Sequence, residues 1–412
     1  MTEADVMTRL GDVLTLQRGF DLPKRNRVAG GIPLVSSSGI SDFQAETKVR
    51  PPAVVTGRYG TLGKVFYLEE PCFPLNTTLW VKDFKGNVPR FCKYLLETID
   101  YHSCSDKGAV PGVNRNHLEE LLVRKVDERD QKAIAHILGT LDDKIELNQK
   151  MNHTLEEIAK AIFKSWFVDI DPVRAKAEGR PTGLPPEISD LFPDELVDSE
   201  IGEIPKGWEV KTISDLADCL GGATPSTKNS DFWDGGHLTW TSPKDLSKLE
   251  SIHLLKTARK ITESGLKKIS SGLLPVGTVL LSSRAPVGYL ALTTEPTAIN
   301  QGYIALKPVS GVSNYFLLNW CDSNLEQIKN RASGTTFAEI SKAAFRPIPA
   351  VSPSRELMTK FHEFVEPIYE RVLCASKEVE TLSELRDTLL PKLISGELCI
   401  PDAEKFLEEA GI

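Results

Sequence analysis

The sequence predicts an α+β chain in which two repeated globular α/β domains are joined by two long antiparallel coiled-coil helices. Three observations predict it: residues that recur at a constant offset, two long heptad patterns, and an acidic, proline-rich stretch between the copies. At 412 residues the chain exceeds one ordinary core, and a scale of about 150 residues per domain suggests two or three. The expected order is a first domain over 1–127, a central helix over 128–168, a linker over 169–207, a second domain over 208–351, a C-terminal helix over 352–396 and an acidic tail over 397–412.

The repeat comes first because missing it would miscall the fold. Arg58 in VVTGRYGTLGKVFYL matches Arg284 in VLLSSRAPVGYLAL at an offset of 226, and the same offset takes Gly108 to Gly334 and Arg129 to Arg355. PLNTTLWV (Pro74 to Val81) parallels AINQGYIAL (Ala298 to Leu306). Near the front, LGDVLTLQRG (Leu10 to Gly19) parallels ISDLADCLGG (Ile213 to Gly222) at an offset of 203, so the second copy carries an insertion of about twenty residues, rich in Lys, Ser and Trp.

Each copy ends in a heptad pattern, the mark of a coiled coil. In the first, Ile134, Leu138, Leu141, Ile145, Asn148, Asn152, Leu155, Ala159, Ile162 and Trp166 alternate steps of four and three. Residues 130–167 would span roughly 57 Å as a helix at about 1.5 Å per residue. Asn148 and Asn152 interrupt the seam, where a buried amide sets register by penalising a slipped partner. The second run goes from Met358 to Val379 and Leu382, then slips phase to Leu385 and Leu389. Pro367 lies inside it and should kink the helix. The linker's prolines, glycines and acids predict little regular structure.

The stretch GRYGTLGKV (Gly57 to Val65) looks like a phosphate loop, but five residues separate Gly57 from Gly63 and Val65 follows Lys64, so the required spacing and hydroxyl are missing. Seven scattered cysteines without a C-x-x-C pair argue against a disulfide framework or zinc knuckle, and His102 with Cys104 is too small a set for a metal. No apolar run approaches the roughly 20 residues needed to cross a bilayer, and the N-terminus is no signal peptide, so a cytoplasmic chain without membrane contact is expected.

Net charge is −8, but the linker holds ten acids against four bases and the tail five against one. The domains themselves are net positive, +2 over 1–127 and +3 over 208–351, which leaves room for a basic face on each.

The arrangement resembles the specificity subunit of type I restriction-modification systems over nearly the whole chain. The most specific segments are LFPDELVDSEIGEIPKGWEV, GGATPSTKNSDFWDGGHLTWTSPKDL, LGTLDDKIELNQKMNHTLEEIAKAIFKSWFVD and LRDTLLPKLISGEL. The resemblance implies a non-catalytic reader of double-stranded DNA whose two target-recognition domains each read half of a split target, held apart by the paired helices as by a ruler. It also implies two docked modification subunits that methylate adenine with S-adenosylmethionine, and restriction subunits using ATP and magnesium. Those cofactors belong to the partners, and none is expected in this chain.

Consistent with that, an Asn/Asp-Pro-Pro-aromatic tetrapeptide is missing, DPVR at Asp171 lacking both the second proline and the aromatic. A nuclease would lean on Glu46, Thr47 and Lys48 with Asp42 or Asp12, without a second metal ligand. A protein-only coiled-coil adaptor, or an enzyme with an unrecognised site, are the alternatives.

Base edges are read by arginine on guanine, by asparagine or glutamine on adenine, and by hydroxyls as adaptable partners. On that chemistry the first copy offers Thr56, Arg58, Tyr59, Lys64 and Asn76, with Lys107 nearer a phosphate. The second offers Ser283, Arg284, Asn300 and Gln301, with Lys228, Lys244 and Arg331 as phosphate contacts. Arg58 and Arg284, being matched, suit bracing the fold or anchoring a phosphate as well as they suit reading a base, whereas residues that read different half-sites should differ between copies. Tyr59 and Lys64 do differ, facing Ala285 and Tyr289. Trp233 and Trp240 are expected to pack rather than stack on DNA.

Overall fold

The computed structural model describes residues 6–105, 112–334 and 338–409. Contacts group into two units, Met1–Glu146 with Glu380–Ile412, and Leu147–Val379. In the first, β1 (Met7–Arg9), α1 (Leu10–Val13), β2 (Thr15–Arg18), β3 (Ile32–Ser36), β4 (Gly39–Gln44), β5 (Ala53–Gly57), β6 (Val65–Leu68), β7 (Phe73–Pro74) and β8 (Thr78–Asp83) lead into α2 (Pro89–Glu97), α3 (Arg115–Glu119) and β9 (Leu122–Arg124). The main sheet has the order β2-β8-β5-β6, a smaller one β4-β3-β7, and β1 pairs with β9. Central β5, Ala-Val-Val-Thr-Gly, is buried at every position, a continuous rather than alternating pattern that suits a strand covered on both faces. Helix α2 opens on Pro89, where the missing amide costs nothing, and buries Phe91, Cys92, Tyr94, Leu95 and Leu96.

Long α4 (Glu128–Phe163) begins in this unit and continues into the second, ending in a π-turn over Lys164–Val168. The segment expected to lack regular structure is instead ordered. It forms α5 (Asp171–Ala177), α6 (Pro186–Ser189) and an antiparallel hairpin of β10 (Leu196–Ser199) and β11 (Gly202–Pro205). Ile170, Val173, Ile188 and Phe192 join Trp166, Phe167 and Trp208 in one buried cluster of the second unit. Proline and acid content reported the exposed half of the segment and missed these widely spaced apolar anchors.

The second unit continues with β12 (Glu209–Thr212), α7 (Ile213–Leu216), β13 (Ala217–Leu220), β14 (Leu238–Thr241), α8 (Pro243–Leu246), β15 (His253–Leu254), β16 (Arg259–Ile261), α9 (Glu263–Leu266), β17 (Val279–Ser282), β18 (Leu290–Thr293), β19 (Thr297–Ile299) and β20 (Tyr303–Pro308). After these come α10 (Asn314–Ser323), α11 (Leu325–Asn330), α12 (Lys342–Phe345), β21 (Pro349–Ser352) and α13 (Arg355–Ser395). Three of its sheets, β13-β20-β17-β18-β15, β16-β14-β19 and β12 on β21, repeat those of the first unit strand for strand, with β15 added at an edge.

The repeated glycine before each first loop now has a cause. A Cβ on Gly19 would lie 2.2 Å from the Leu75 carbonyl oxygen, and one on Gly222 1.8 Å from that of Ile299. Backbone cannot yield as a side chain does, so Gly222→Val is expected to cost several kcal/mol, on the order of the larger overpacking penalties. A urea unfolding midpoint unchanged from wild type would contradict this.

The insertion is distributed rather than a single block. Pairing registers place Ile32 and Gln44 against each other as they place Leu238 and Ile261, and Thr56 opposite Leu79 as Ser282 opposite Tyr303. The offset therefore grows mainly in two places, between β14 and β16 and again between β16 and β17. The same register makes Ser282, and not Ser283, the counterpart of Thr56.

Helices α4 and α13 pack antiparallel. In the second unit Asn148 Nδ2 donates to Glu378 Oε2 (3.0 Å), Asn152 Nδ2 to Ser376 Oγ (3.0 Å), and Trp166 meets Phe361 with ring centroids 5.8 Å apart. In the first, Asp142 pairs with Arg386 at 3.0 Å. Both asparagines are buried, as the seam required. Helix α13 runs unbroken through Pro367; the carbonyl deprived of its donor belongs to Glu363, an exposed residue. The acidic tail also folds, into α14 (Ile400–Glu409), with Ala403 fully buried. Among the described residues, no helix is long and apolar enough to cross a membrane.

Candidate nucleic-acid interface

In the first unit the turn after β5 explains its own glycines. A Cβ on Gly57 would lie 1.9 Å from the Thr61 carbonyl oxygen, and Gly60 and Gly63 adopt φ of +83° and +81°, a region that favours glycine. The amides of Arg58 and Tyr59 both donate to the Thr77 carbonyl (2.8 and 3.2 Å), so they do not cradle an anion. The turn instead presents side chains: the Arg58 guanidinium carbon sits 4.5 Å from the centre of the Tyr59 ring.

Beside it opens a cleft of about 790 Å³, lined by Gln17, Arg18, Asp21, Arg58, Tyr59, Lys82, Asn114 and Arg115 among others. Among the described residues that line it four cations face one acid, and that acid is partly satisfied by Arg18 at 3.1 Å. The elements converge by topology: Gln17 and Arg18 end β2, Lys82 lies on the adjacent β8, and Asn114 caps α3 by accepting from the Asn116 amide (3.0 Å). Asn76 donates to Asp21 and so reaches the cleft's edge.

Of the residues expected to read the first half-site, Arg58 and Tyr59 line this cleft, and Lys64 is exposed outside its lining. Thr56 requires correction. It is buried, with Oγ1 donating to the Lys64 carbonyl (2.9 Å) and lying 3.3 Å from the Tyr101 hydroxyl, so it braces the turn from inside. Lys107 lies outside the described residues. Gln17, Arg18, Lys82, Asn114 and Arg115 were missed; the polar pair closing LTLQRG before an obligatory glycine was the available signal.

The second unit repeats the geometry with different chemistry. Arg284 Nη1 lies 3.6 Å from a Glu339 carboxylate oxygen, both side chains being more than a third exposed, so the matched arginines have unlike partners. Gln301 is exposed, with Oε1 accepting from Thr224 Oγ1 (2.7 Å). Asn300 is half-buried: its Oδ1 accepts from the Gly302 amide (2.8 Å), and its backbone amide donates to the Thr241 carbonyl (3.0 Å). Ser283 is buried, its amide bonded to Gly302, and is corrected to a backbone role, because the register puts it where Gly57 sits in the first copy.

Lys228, Lys244 and Arg331 are all exposed, as phosphate contacts must be. Lys342, at the first turn of α12 where the first copy has Arg115, was missed; its Nζ reaches to 3.0 Å from where a Gly221 Cβ would stand. Trp233 and Trp240 pack edge to face at 5.1 Å in a buried cluster, and their ring nitrogens donate to Ser226 and Ala223.

The carboxylates weighed for nuclease chemistry are engaged separately. Asp42 is held below the ordinary carboxylate range by the Phe43 amide and by Arg27, 2.9 Å away, Glu46 pairs with Lys48, and Asp12 accepts from Thr8 at 3.2 Å. Among the described residues no group of His, Cys, Asp and Glu gathers as a metal site would.

Comparison with known proteins agrees with this picture. The profile described as type I restriction modification DNA specificity domain matches twice, over residues 4–157 and 205–356. The chain is 31% identical over 376 residues to the type I restriction enzyme HindI specificity subunit of Haemophilus influenzae, covering 79% of this chain and 81% of that one. It is 35% identical over 193 residues to the MjaIX specificity subunit of Methanocaldococcus jannaschii, covering 46% and 44%. The S subunit of a type I restriction-modification system from M. genitalium has the same fold, with a TM-score of 0.61 at 15% identity over 94% of this chain and 96% of that one. With two profile matches spanning most of its length, one on each structural copy, the chain belongs to the type I restriction-modification DNA specificity family.

Proposed function

We propose that this chain is the DNA-recognition subunit of a type I restriction-modification complex, reading a split double-stranded target with one half-site for each copy. The carrying observation is a cleft in the first copy that gathers the cations Arg18, Arg58, Lys82 and Arg115 with the amides of Gln17 and Asn114, together with the matching positions of the second copy, where Gln301 and Lys342 are exposed and Arg284 is partly so. Arginine and glutamine are the side chains that fork onto guanine and adenine edges. Exposed Lys228, Lys244 and Arg331 supply the phosphate contacts that position without specifying.

The paired helices act as the ruler between half-sites. They also dock two modification subunits, which bring S-adenosylmethionine and methylate adenine, and to which restriction subunits using ATP and magnesium can be added. The assembly works in the cytoplasm.

The test is methylome sequencing of cells carrying this chain with its modification subunit, against cells lacking only this chain. A split motif methylated on both strands, present only with the chain, is expected. No change, with an active and associated modification subunit, would overturn the reading in favour of a protein-only adaptor. In the purified complex, Arg58→Ala should weaken binding by about 1–3 kcal/mol and relax one position of one half-site if Arg58 reads a base. If it anchors a phosphate, binding should weaken uniformly and the salt slope fall by about one.

A further inference from the structure

We propose that the β14–β16 connection of the second copy is a clasp that sets the pose of that recognition domain on the helix pair, and so selects the length of the unread gap. The inference rests on the function proposed above. In the first copy the equivalent strands β3 and β4 are joined by Ser37 and Ser38 alone. In the second, the connection is long enough to carry α8 and β15, and its residues 250–252 reach both helices.

All of the contacts lie within the second unit. Ser251 Oγ is 2.8 Å from Ser376 Oγ on α13. The same Ser376 oxygen accepts from Asn152 Nδ2 on α4 (3.0 Å) and donates to the Val372 carbonyl (2.7 Å). One residue on, the Ile252 amide donates to Glu156 Oε1 on α4 (2.9 Å), and Glu250 pairs with Gln149. The other side of the segment is fixed to the recognition sheet: the Ile252 carbonyl accepts from the Leu292 amide (2.8 Å), and β15 runs parallel to β18. Thus one short segment is bonded at once to both helices and to the sheet whose strand ends carry Arg284 and Gln301.

Of its partners Ser376 is buried at 6% exposure, as is Asn152 behind it at 2%, while Glu156 and Gln149 are half-buried, so sliding the domain along the seam would strand the Ser376 and Asn152 polar atoms in the interior. A seam of leucines alone would tolerate such a shift. The asparagine that specifies helix register therefore also specifies domain register, through Ser376.

Ser251, Glu156 and Ser376 are positioning residues with no contact to DNA in this scheme. The test uses the complex with its modification subunit and duplexes whose gap is the native length, one base pair longer or one shorter. Glu156→Leu and Ser251→Ala should each reduce the preference for the native gap by about tenfold, roughly 1.4 kcal/mol, with the half-site bases unchanged. Glu156→Gln, which keeps an acceptor for the Ile252 amide, should retain the preference. A simple loss of stability would lower methylation on all three duplexes alike and leave their ratio intact.

Unchanged ratios in both disruptive variants, or an equal loss in Glu156→Gln, would overturn the clasp. If Glu156→Leu fails to fold, Ser251→Ala decides alone, since its half-buried hydroxyl leaves little volume behind. A wild-type complex that methylates no split target would instead defeat the underlying functional reading.

Discussion

Replacing Asp142 with alanine is expected to destabilise the first unit by about 3 kcal/mol, the lower end of the cost of breaking a buried ion pair. Its Oδ2 accepts from Lys93 Nζ (2.7 Å) and the Tyr94 hydroxyl (2.7 Å), and its Oδ1 from Arg386 Nη1 (3.0 Å). The Lys93 side chain is only 10% exposed and that of Asp142 21%, so removing the carboxylate strands a nearly buried ammonium with Glu97 as its remaining partner, 3.0 Å away. Burial opposes ionisation of Asp142, yet Lys93, Tyr94 and Arg386 together outweigh it and hold its pKa below the ordinary carboxylate value.

A carboxylate depressed on folding stabilises above its unfolded pKa, about 3.9, and that contribution disappears as pH falls through the folded value. The gap in stability between wild type and Asp142→Ala should therefore be full at neutral pH and shrink in strong acid. Urea unfolding followed at several pH values measures it, and equal midpoints at pH 7 would mean that solvent screens the network.

The second large effect is on target spacing. A seven-residue insertion placed in both α4 and α13, opposite each other and away from Asn148 and Asn152, adds about 10.5 Å at 1.5 Å per residue. Seven residues preserve the heptad seam and return each helix to nearly the same face. At about 3.4 Å per base pair the unread gap should lengthen by roughly three pairs, with methylation at the original motif lost and the half-sites conserved. Altered half-sites at the original spacing would refute the ruler.

The helices show why these expectations could be framed from sequence at all. Steps of four and three from Ile134 to Trp166 are a one-dimensional signature of a face, and a buried face needs a partner whatever the rest of the chain does. The structure places Asn148 and Asn152 on the seam, bonded across to Glu378 and Ser376. The linker shows the opposite case. Composition described its solvent side, while Phe192 found its burial against Trp166, distant in sequence.

The sequence alone determined the duplication and the two long helices with their polar register points, because a repeat offset and a heptad period are legible along one chain. Which polar groups face outward was decided only by tertiary structure. Thr56 and Ser283 lie within two residues of partly exposed arginines in the chain yet are buried, Thr56 on a strand covered on both faces and Ser283 bonded through its backbone to Gly302 just past the end of the equivalent strand. Arg18, Lys82 and Arg115 are far apart in sequence and meet in one cleft because β2, β8 and α3 are brought together by sheet order. No spacing rule along one chain encodes that convergence, because it comes from contacts whose free energy exists only after the sheet has closed.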